Sequence, residues 1–286
     1  MNKKKLIDIF NIDKPNICFV GDIHGEFNSL QGLMKKTNFK DTAYIVCGDI
    51  GFGFNKKEYY SKIFNKLTKT ASKLNCEFIF IRGNHDDKKY FDKRLINRKC
   101  FKTIPDYSVI QTPLYNILCI GGAVSIDRTY RQLVLKENAL KYSIYHGCTP
   151  NEAEKLCQQV YWEEEPCYYD EEKLSQLKLN NINIDIVCTH TCPSFTKPFG
   201  KENIGYWLSK DENLERDIDN EREVMDKVYN KLKTDGHKLD MWFYGHFHYH
   251  NVQFVDNTKF VMLDMYRNGN YDIYDVYDIP SVQNIY

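Results

Sequence analysis

The sequence predicts an α/β fold in which parallel strands, covered by helices, deliver polar residues to one shared edge. Two observations predict it. Between residues 16 and 86 short apolar runs alternate with segments of helical period, and a strand–helix–strand order with short links gives parallel strands whose ligands lie beyond their carboxyl ends. Along the whole chain, five apolar runs give way at once to Asp, Asn or His.

The first strand, residues 16–20, stops at Gly21-Asp22-Ile23-His24-Gly25, and residues 27–37 form a helix with Leu30, Leu33 and Met34 on one face. A second strand, 43–47, runs into Gly48-Asp49-Ile50-Gly51. Residues 56–74 carry Tyr60, Ile63, Phe64, Leu67, Ala71 and Leu74 at steps of three and four, which is again a helix, and strand 78–81 leads to Gly83-Asn84-His85-Asp86. The pattern then changes. Residues 107–111 and 115–120 read as an antiparallel pair around Thr112-Pro113, delivering Gly121-Gly122 and then Asp127-Arg128. The polar, aromatic stretch to about 170 reads as an insertion at 121–170 within a single domain spanning 1–286.

A helix over 171–179 precedes strand 184–188, which ends in Thr189-His190-Thr191-Cys192-Pro193. The charged stretch 205–234, with Val224, Val228 and Leu232 four apart, is expected to be a mostly solvated helix. Strand 241–244 ends in Gly245-His246-Phe247-His248; runs 252–255 and 260–263 form a hairpin around Asp256-Asn257, and 271–279 alternates as an edge strand. No repeat or low-complexity linker interrupts the chain.

With 286 residues the chain can bury a sizeable core. Its 39 basic and 39 acidic residues cancel, so bulk charge points to no polyanionic partner such as nucleic acid. The basic start, Lys3-Lys4-Lys5, is followed by an apolar run too short and too polar for an export or membrane-spanning segment. The ten cysteines include no Cys-x-x-Cys pair and sit largely in strand-like runs, so reduced thiols and a cytoplasmic location are expected.

The candidate ligands are Asp22, His24, Asp49, Asn84, His190, His246 and His248, while His146, His237 and His250 lie outside the pattern. Seven oxygen and nitrogen donors exceed one ion and suit two first-row divalent ions sharing a carboxylate, for which Asp49 is the natural bridge. Thiolates at Cys188 or Cys192 would instead favour zinc in a closed structural site.

The chain resembles the calcineurin-like metallophosphoesterases in five blocks, in family order: Gly-Asp-Ile-His-Gly at 21, Gly-Asp at 48, Gly-Asn-His-Asp at 83, His190 with Pro193, and Gly-His-Phe-His at 245. The resemblance implies that Asp22, His24 and His248 hold one metal, that Asn84, His190 and His246 hold the other, and that Asp49 bridges them. It also implies a four-layer sandwich of two mixed β-sheets flanked by helices, with the site at the carboxyl ends of the strands. Manganese is the first expectation for the metal, with iron, zinc, nickel or magnesium as alternatives. The reaction expected is hydrolysis of a phosphate ester by a hydroxide held between the ions, with His85 giving the leaving group its proton.

The substrate the resemblance leads one to expect is a phosphoprotein, a nucleotide or another small phosphoester, as monoester or diester. In the Ser/Thr protein phosphatases of this superfamily the second block continues into Asp-Arg-Gly, where this chain has Phe52 and Gly53. Asp127, Arg128 and Arg131 are expected to supply the missing groups, the alternative being that both arginines pair with Glu163–Glu165. A non-catalytic scaffold for protein binding is the competing function, and a nuclease would need a basic stripe leading to the metals.

Overall fold

A computed structural model of the chain describes residues 7–199, 203–266 and 276–279. The chain opens with β1 (Ile9–Asn11), β2 (Asn16–Val20), α1 (Phe27–Thr37), β3 (Thr42–Val46), α2 (Lys57–Leu74), β4 (Glu77–Phe80), α3 (Lys89–Asp92) and β5 (Phe101–Thr103). Next come β6 (Ser108–Gln111), β7 (Asn116–Ile120), α4 (Arg128–His146), α5 (Pro150–Leu156) and α6 (Glu171–Leu179). The remainder is β8 (Ile186–Thr189), a 3-10 turn (Ser194–Thr196), α7 (Ile204–Leu208), α8 (Leu214–Thr234), β9 (Met241–Tyr244), β10 (Asn251–Val255), β11 (Thr258–Met262) and β12 (Val276–Ile279).

Two sheets result. One runs β12-β2-β3-β4-β5, parallel except for β12, which lies antiparallel on the edge of β2. The other runs β1-β6-β7-β8-β9-β11-β10 and is mixed, with the β6–β7 and β10–β11 pairs antiparallel. Because side chains alternate along a strand, each strand serves two cores. Ile17 and Phe19 of β2 meet Phe243 of β9 between the sheets, where Phe19 and Phe243 stack at 3.8 Å. Cys18 and Val20 face the other way, toward the cluster beneath α1 and α2. On the far side Trp242 and Tyr244 pack with Leu174 and Leu177 of α6 and Met225, Val228 and Leu232 of α8. Helices, sheet, sheet, helices is the four-layer sandwich, and strands buried on both faces explain the continuous apolar runs of the sequence.

Several expectations change. The charged stretch 205–234 is two helices, α7 and α8, and α8 is only half solvated: Met225, Val228, Tyr229 and Leu232 are buried together with one charged residue, Glu221, while most of the other charges lie on the outward face. The insertion is helical, α4 and α5 forming a hairpin whose second helix starts at a capping box, Thr149 with Glu152. His237 is buried, its Nδ1 accepting from the Ile184 N–H, so it is a structural group. Of the expected edge strand 271–279, residues 276–279 form β12, while 271–275 and the basic residues before position 7 lie outside the described residues. Among the described residues no helix is long and apolar enough to cross a membrane.

Phe52 does not face the site. Its ring is fully buried and meets Phe27, Tyr60, Phe64, Phe80, Tyr90 and Phe91. Phe52→Ala should therefore lower the unfolding free energy by about 3–5 kcal/mol, measured by denaturant melts. A loss below about 1 kcal/mol would mean the cavity collapses and the ring is no anchor.

Candidate metal centre

Asp22 and His24 follow β2, Asp49 follows β3, Asn84 and His85 follow β4, His190 follows β8, and His246 and His248 follow β9. Both sheets end their strands at this edge, so seven donors separated by up to 226 positions converge. Asp22, His24, Asp49 and His248 form one group able to hold a metal, and Asp49, His190 and His246 form a second, with the donor atoms of each group within 4.8 Å of one another. Asp49 belongs to both.

The two carboxylates are almost fully buried, and their ion-pair partners are imidazoles. His248 Nε2 lies 3.1 Å from Asp22 Oδ2, and His190 Nε2 lies 3.2 Å from Asp49 Oδ1. His24 and His248 bring their Nε2 atoms to 2.9 Å of each other, a geometry that aims two lone pairs at one point. Burial alone would raise Asp49, but His85, His190 and His24 together hold it well below the usual carboxylate range. Burial would lower His190, yet Asp49 and Asp22 pull it up to about 9. Two buried carboxylates with imidazole nitrogens closing on them are the donor set that fits a divalent ion. His190 Nδ1 is 2.7 Å from the Cys47 carbonyl, which only accepts; the proton therefore sits on Nδ1 and Nε2 is left as donor toward a metal.

The backbone is strained to achieve this. His24, Asp49, His246 and His248 all have positive φ, between 42° and 69°, a conformation costing about 1–3 kcal/mol each that persists only where the surroundings over-determine it. Close approach explains the glycines of the blocks. A Cβ on Gly83 would strike the Asp49 backbone nitrogen and Oδ1, and one on Gly245 would strike Asp22 Oδ1. Asp86 then locks the turn after β3, accepting from the backbone N–H groups of Ile50, Gly51, Phe52 and Gly83 at 2.8–3.1 Å.

The profile of the calcineurin-like phosphoesterases matches residues 15–250. The chain belongs to that family. It is accordingly a hydrolase acting on phosphate ester bonds and dependent on divalent metal ions. Solved structures similar to this member include phosphopantetheinyl hydrolase from Mycobacterium tuberculosis, at 12% identity over 95% of this chain and 98% of that one, with a TM-score of 0.45. A dimetal phosphatase from Danio rerio is 10% identical over 90% of this chain and 88% of that one, with a TM-score of 0.44. A Saccharomyces cerevisiae protein serine/threonine phosphatase is 14% identical over 90% and 71%, with a TM-score of 0.34. Membership rests on the profile and on the five blocks, not on these distant likenesses.

His85 Nε2 lies 3.8 Å from Asp49 Oδ2 and faces two donors, Arg131 Nη2 and Asn84 Nδ2, each at 3.3 Å. Two donors on one nitrogen require a neutral ring with its lone pair there. Burial holds His85 down to about 3, Asp49 opposing and Arg131 adding to the shift. Asp127 Oδ1 accepts from Arg131 Nε at 2.8 Å and steadies the guanidinium over the imidazole. Arg128 goes elsewhere: it is bound to Asp211 at 2.6 Å and Asp217 at 2.8 Å, so it neither reaches His85 nor pairs with Glu163–Glu165. The arrangement leaves Asp127 and Arg131 at the centre and turns Arg128 into a tie between α4 and the start of α8.

Sequence reasoning missed Asp86, Ser125, Glu165 and Glu221, all buried. Asp86 stood inside a block and was legible as part of it; the other three carry no local signal.

Asp49→Asn should strip both ions, whereas His246→Ala should strip one, since Asp49 is in both donor groups and His246 in one. Elemental analysis after dialysis reads the difference, and two ions retained by Asp49→Asn would refute the shared carboxylate.

Proposed function

We propose that the chain is a dinuclear phosphomonoesterase in which Asp49 bridges two ions, Asp22, His24 and His248 complete one, and Asn84, His190 and His246 complete the other. The observation that carries the preference for a monoester is the Arg131 guanidinium poised on His85 at the rim of the donor cluster. A guanidinium presents a fork that matches two phosphate oxygens, and its charge favours the dianion of a monoester over the single charge of a diester. Manganese is our choice of metal, following the family resemblance, and the cytosol our choice of compartment, on the cysteine usage of the sequence.

Bound divalent ions polarise the phosphoryl oxygens and bring the pKa of water toward neutrality. The protein's own groups do the rest. Arg131, steadied by Asp127, leaves His85 Nε2 to grip the incoming phosphate. That phosphate sets an anion beside the imidazole in place of a cation, so His85, which keeps some solvent exposure, can take up a proton from solvent and give it to the departing alkoxide. Asn84 and Asp49 hold His85 in register, the latter through its Oδ1, which accepts from the His85 backbone N–H at 2.8 Å.

His85→Ala should keep its metals and slow hydrolysis of an alkyl phosphate by about 10²-fold or more, with a smaller loss on p-nitrophenyl phosphate, whose leaving group needs no proton. Full activity of metal-loaded His85→Ala on the alkyl ester would remove His85 from the mechanism. Arg131→Lys should raise KM for p-nitrophenyl phosphate while leaving that for bis(p-nitrophenyl) phosphate nearly unchanged; equal effects on the two esters would count against the fork.

A further inference from the structure

Asn84 is an unusual donor to a metal, because its amide offers an oxygen on one side and an NH₂ on the other, and only the oxygen can ligate. Something must decide which side faces the ion. Asn84 Oδ1 lies 2.9 Å from His190 Nε2, on the metal side, and Asn84 Nδ2 donates to Ser125 Oγ at 2.7 Å. Ser125 in turn donates twice to Glu165: its backbone N–H to Oε1 at 2.9 Å and its hydroxyl to Oε2 at 2.7 Å. All three side chains are buried.

The direction of this chain of bonds follows from its far end. With Glu165 ionised, its carboxylate only accepts and takes bonds from both the Ser125 N–H and the Ser125 hydroxyl, so that hydroxyl spends its one proton there. What it then shows to Asn84 is a lone pair, which only the NH₂ of the amide can meet. The oxygen is left on the metal side. We propose that Ser125 and Glu165 are positioning residues that set the polarity of the Asn84 amide, and through it the affinity of the ion shared by Asn84, His190 and His246. The proposal rests on the reading of Asn84 as a ligand.

The surroundings hold this chain of bonds in place. Glu165 lies on the irregular stretch that returns from α5 to α6, and its carbonyl accepts from Arg82 Nη1 at 2.7 Å and from the Ala123 N–H at 3.1 Å. Arg82 is itself buried and paired with Asp106 Oδ2 at 2.9 Å. On the other flank, buried Glu221 accepts from the Val124 N–H and from the Thr191 hydroxyl, next to His190. Burial pushes the Glu165 carboxyl up to about 7, and the two bonds from Ser125 oppose that rise.

An isosteric change separates polarity from packing. In Glu165→Gln the Ser125 N–H, which only donates, claims the single amide oxygen, and the amide NH₂ is left facing Ser125 Oγ. The hydroxyl then accepts there and donates to Asn84 instead, turning the Asn84 oxygen away from the metal. Titration of the metal-free full chain with Mn²⁺ by calorimetry should show two binding steps in the wild type. In Ser125→Ala and in Glu165→Gln one step should weaken by about 10–100-fold, the range found for partners behind metal ligands, while the other is unchanged. Ser125→Thr, which keeps the hydroxyl, should restore both. Thermal melts of the metal-free variants separate this from unfolding, with midpoints expected close to that of the wild type. Two unchanged steps in the folded Glu165→Gln variant, or an equal loss at both steps, would overturn the proposal while leaving the dinuclear centre standing. A wild-type chain that bound no Mn²⁺ would overturn both.

Discussion

Two carboxylates, Asp22 and Asp49, are buried side by side where two sheets end, and the rest of the molecule answers to that. Unpaired, such groups would cost several kcal/mol each or give up their charge. Here the partners are imidazoles rather than lysine or arginine, and His190 is drawn up to about 9 to supply a positive charge. Two buried acids ringed by imidazole nitrogens, with the donor atoms of each group within 4.8 Å of one another, make a site suited to a cation. The left-handed backbone at four of the candidate donors, the glycines that admit neighbouring blocks and the Asp86 clamp are the local costs and supports of holding those acids together.

The strands and the donors were legible because they are one signal. β2, β3, β4 and β9 are buried on both faces, so each reads as an unbroken apolar run, and its end coincides with the first polar residue of a block. Helices α1 and α2 were legible from period. The short elements β1, α3 and β5, three or four residues each, lie below the length at which any period can be seen. The helical hairpin of the insertion was missed although Thr149, Pro150 and Glu152 mark a helix start, because its outward face keeps apolar residues such as Leu133, Leu140 and Ile144 exposed and so blurs the stripe.

What sequence pattern does not carry is the choice of partner across long separations. Arg128 and Arg131, three positions apart, share a face of α4, yet one meets the aspartates at 211 and 217 and the other meets His85. Phe52 stands in the second block where a polar residue was looked for, and only packing reveals that its ring completes the core. Glu165 and Ser125 are 40 positions apart and Ser125 and Asn84 are 41 apart. The insertion thus does two things for the centre: α4 brings Arg131 over His85, and the return stretch brings Glu165 behind Asn84. Trp162 from the same stretch packs on Phe54 at 5.4 Å, so the turn after β3 is covered from outside as well as clamped by Asp86 from within.

The claim on which all of this turns is that one carboxylate, Asp49, joins two ions. Electron paramagnetic resonance of the protein loaded with two equivalents of Mn²⁺ tests it directly, because ions about 3.5–4 Å apart through a shared carboxylate are exchange-coupled. The account predicts a coupled, temperature-dependent spectrum with little of the six-line signal of isolated Mn²⁺. A six-line spectrum that accounts for all of the bound manganese would contradict it.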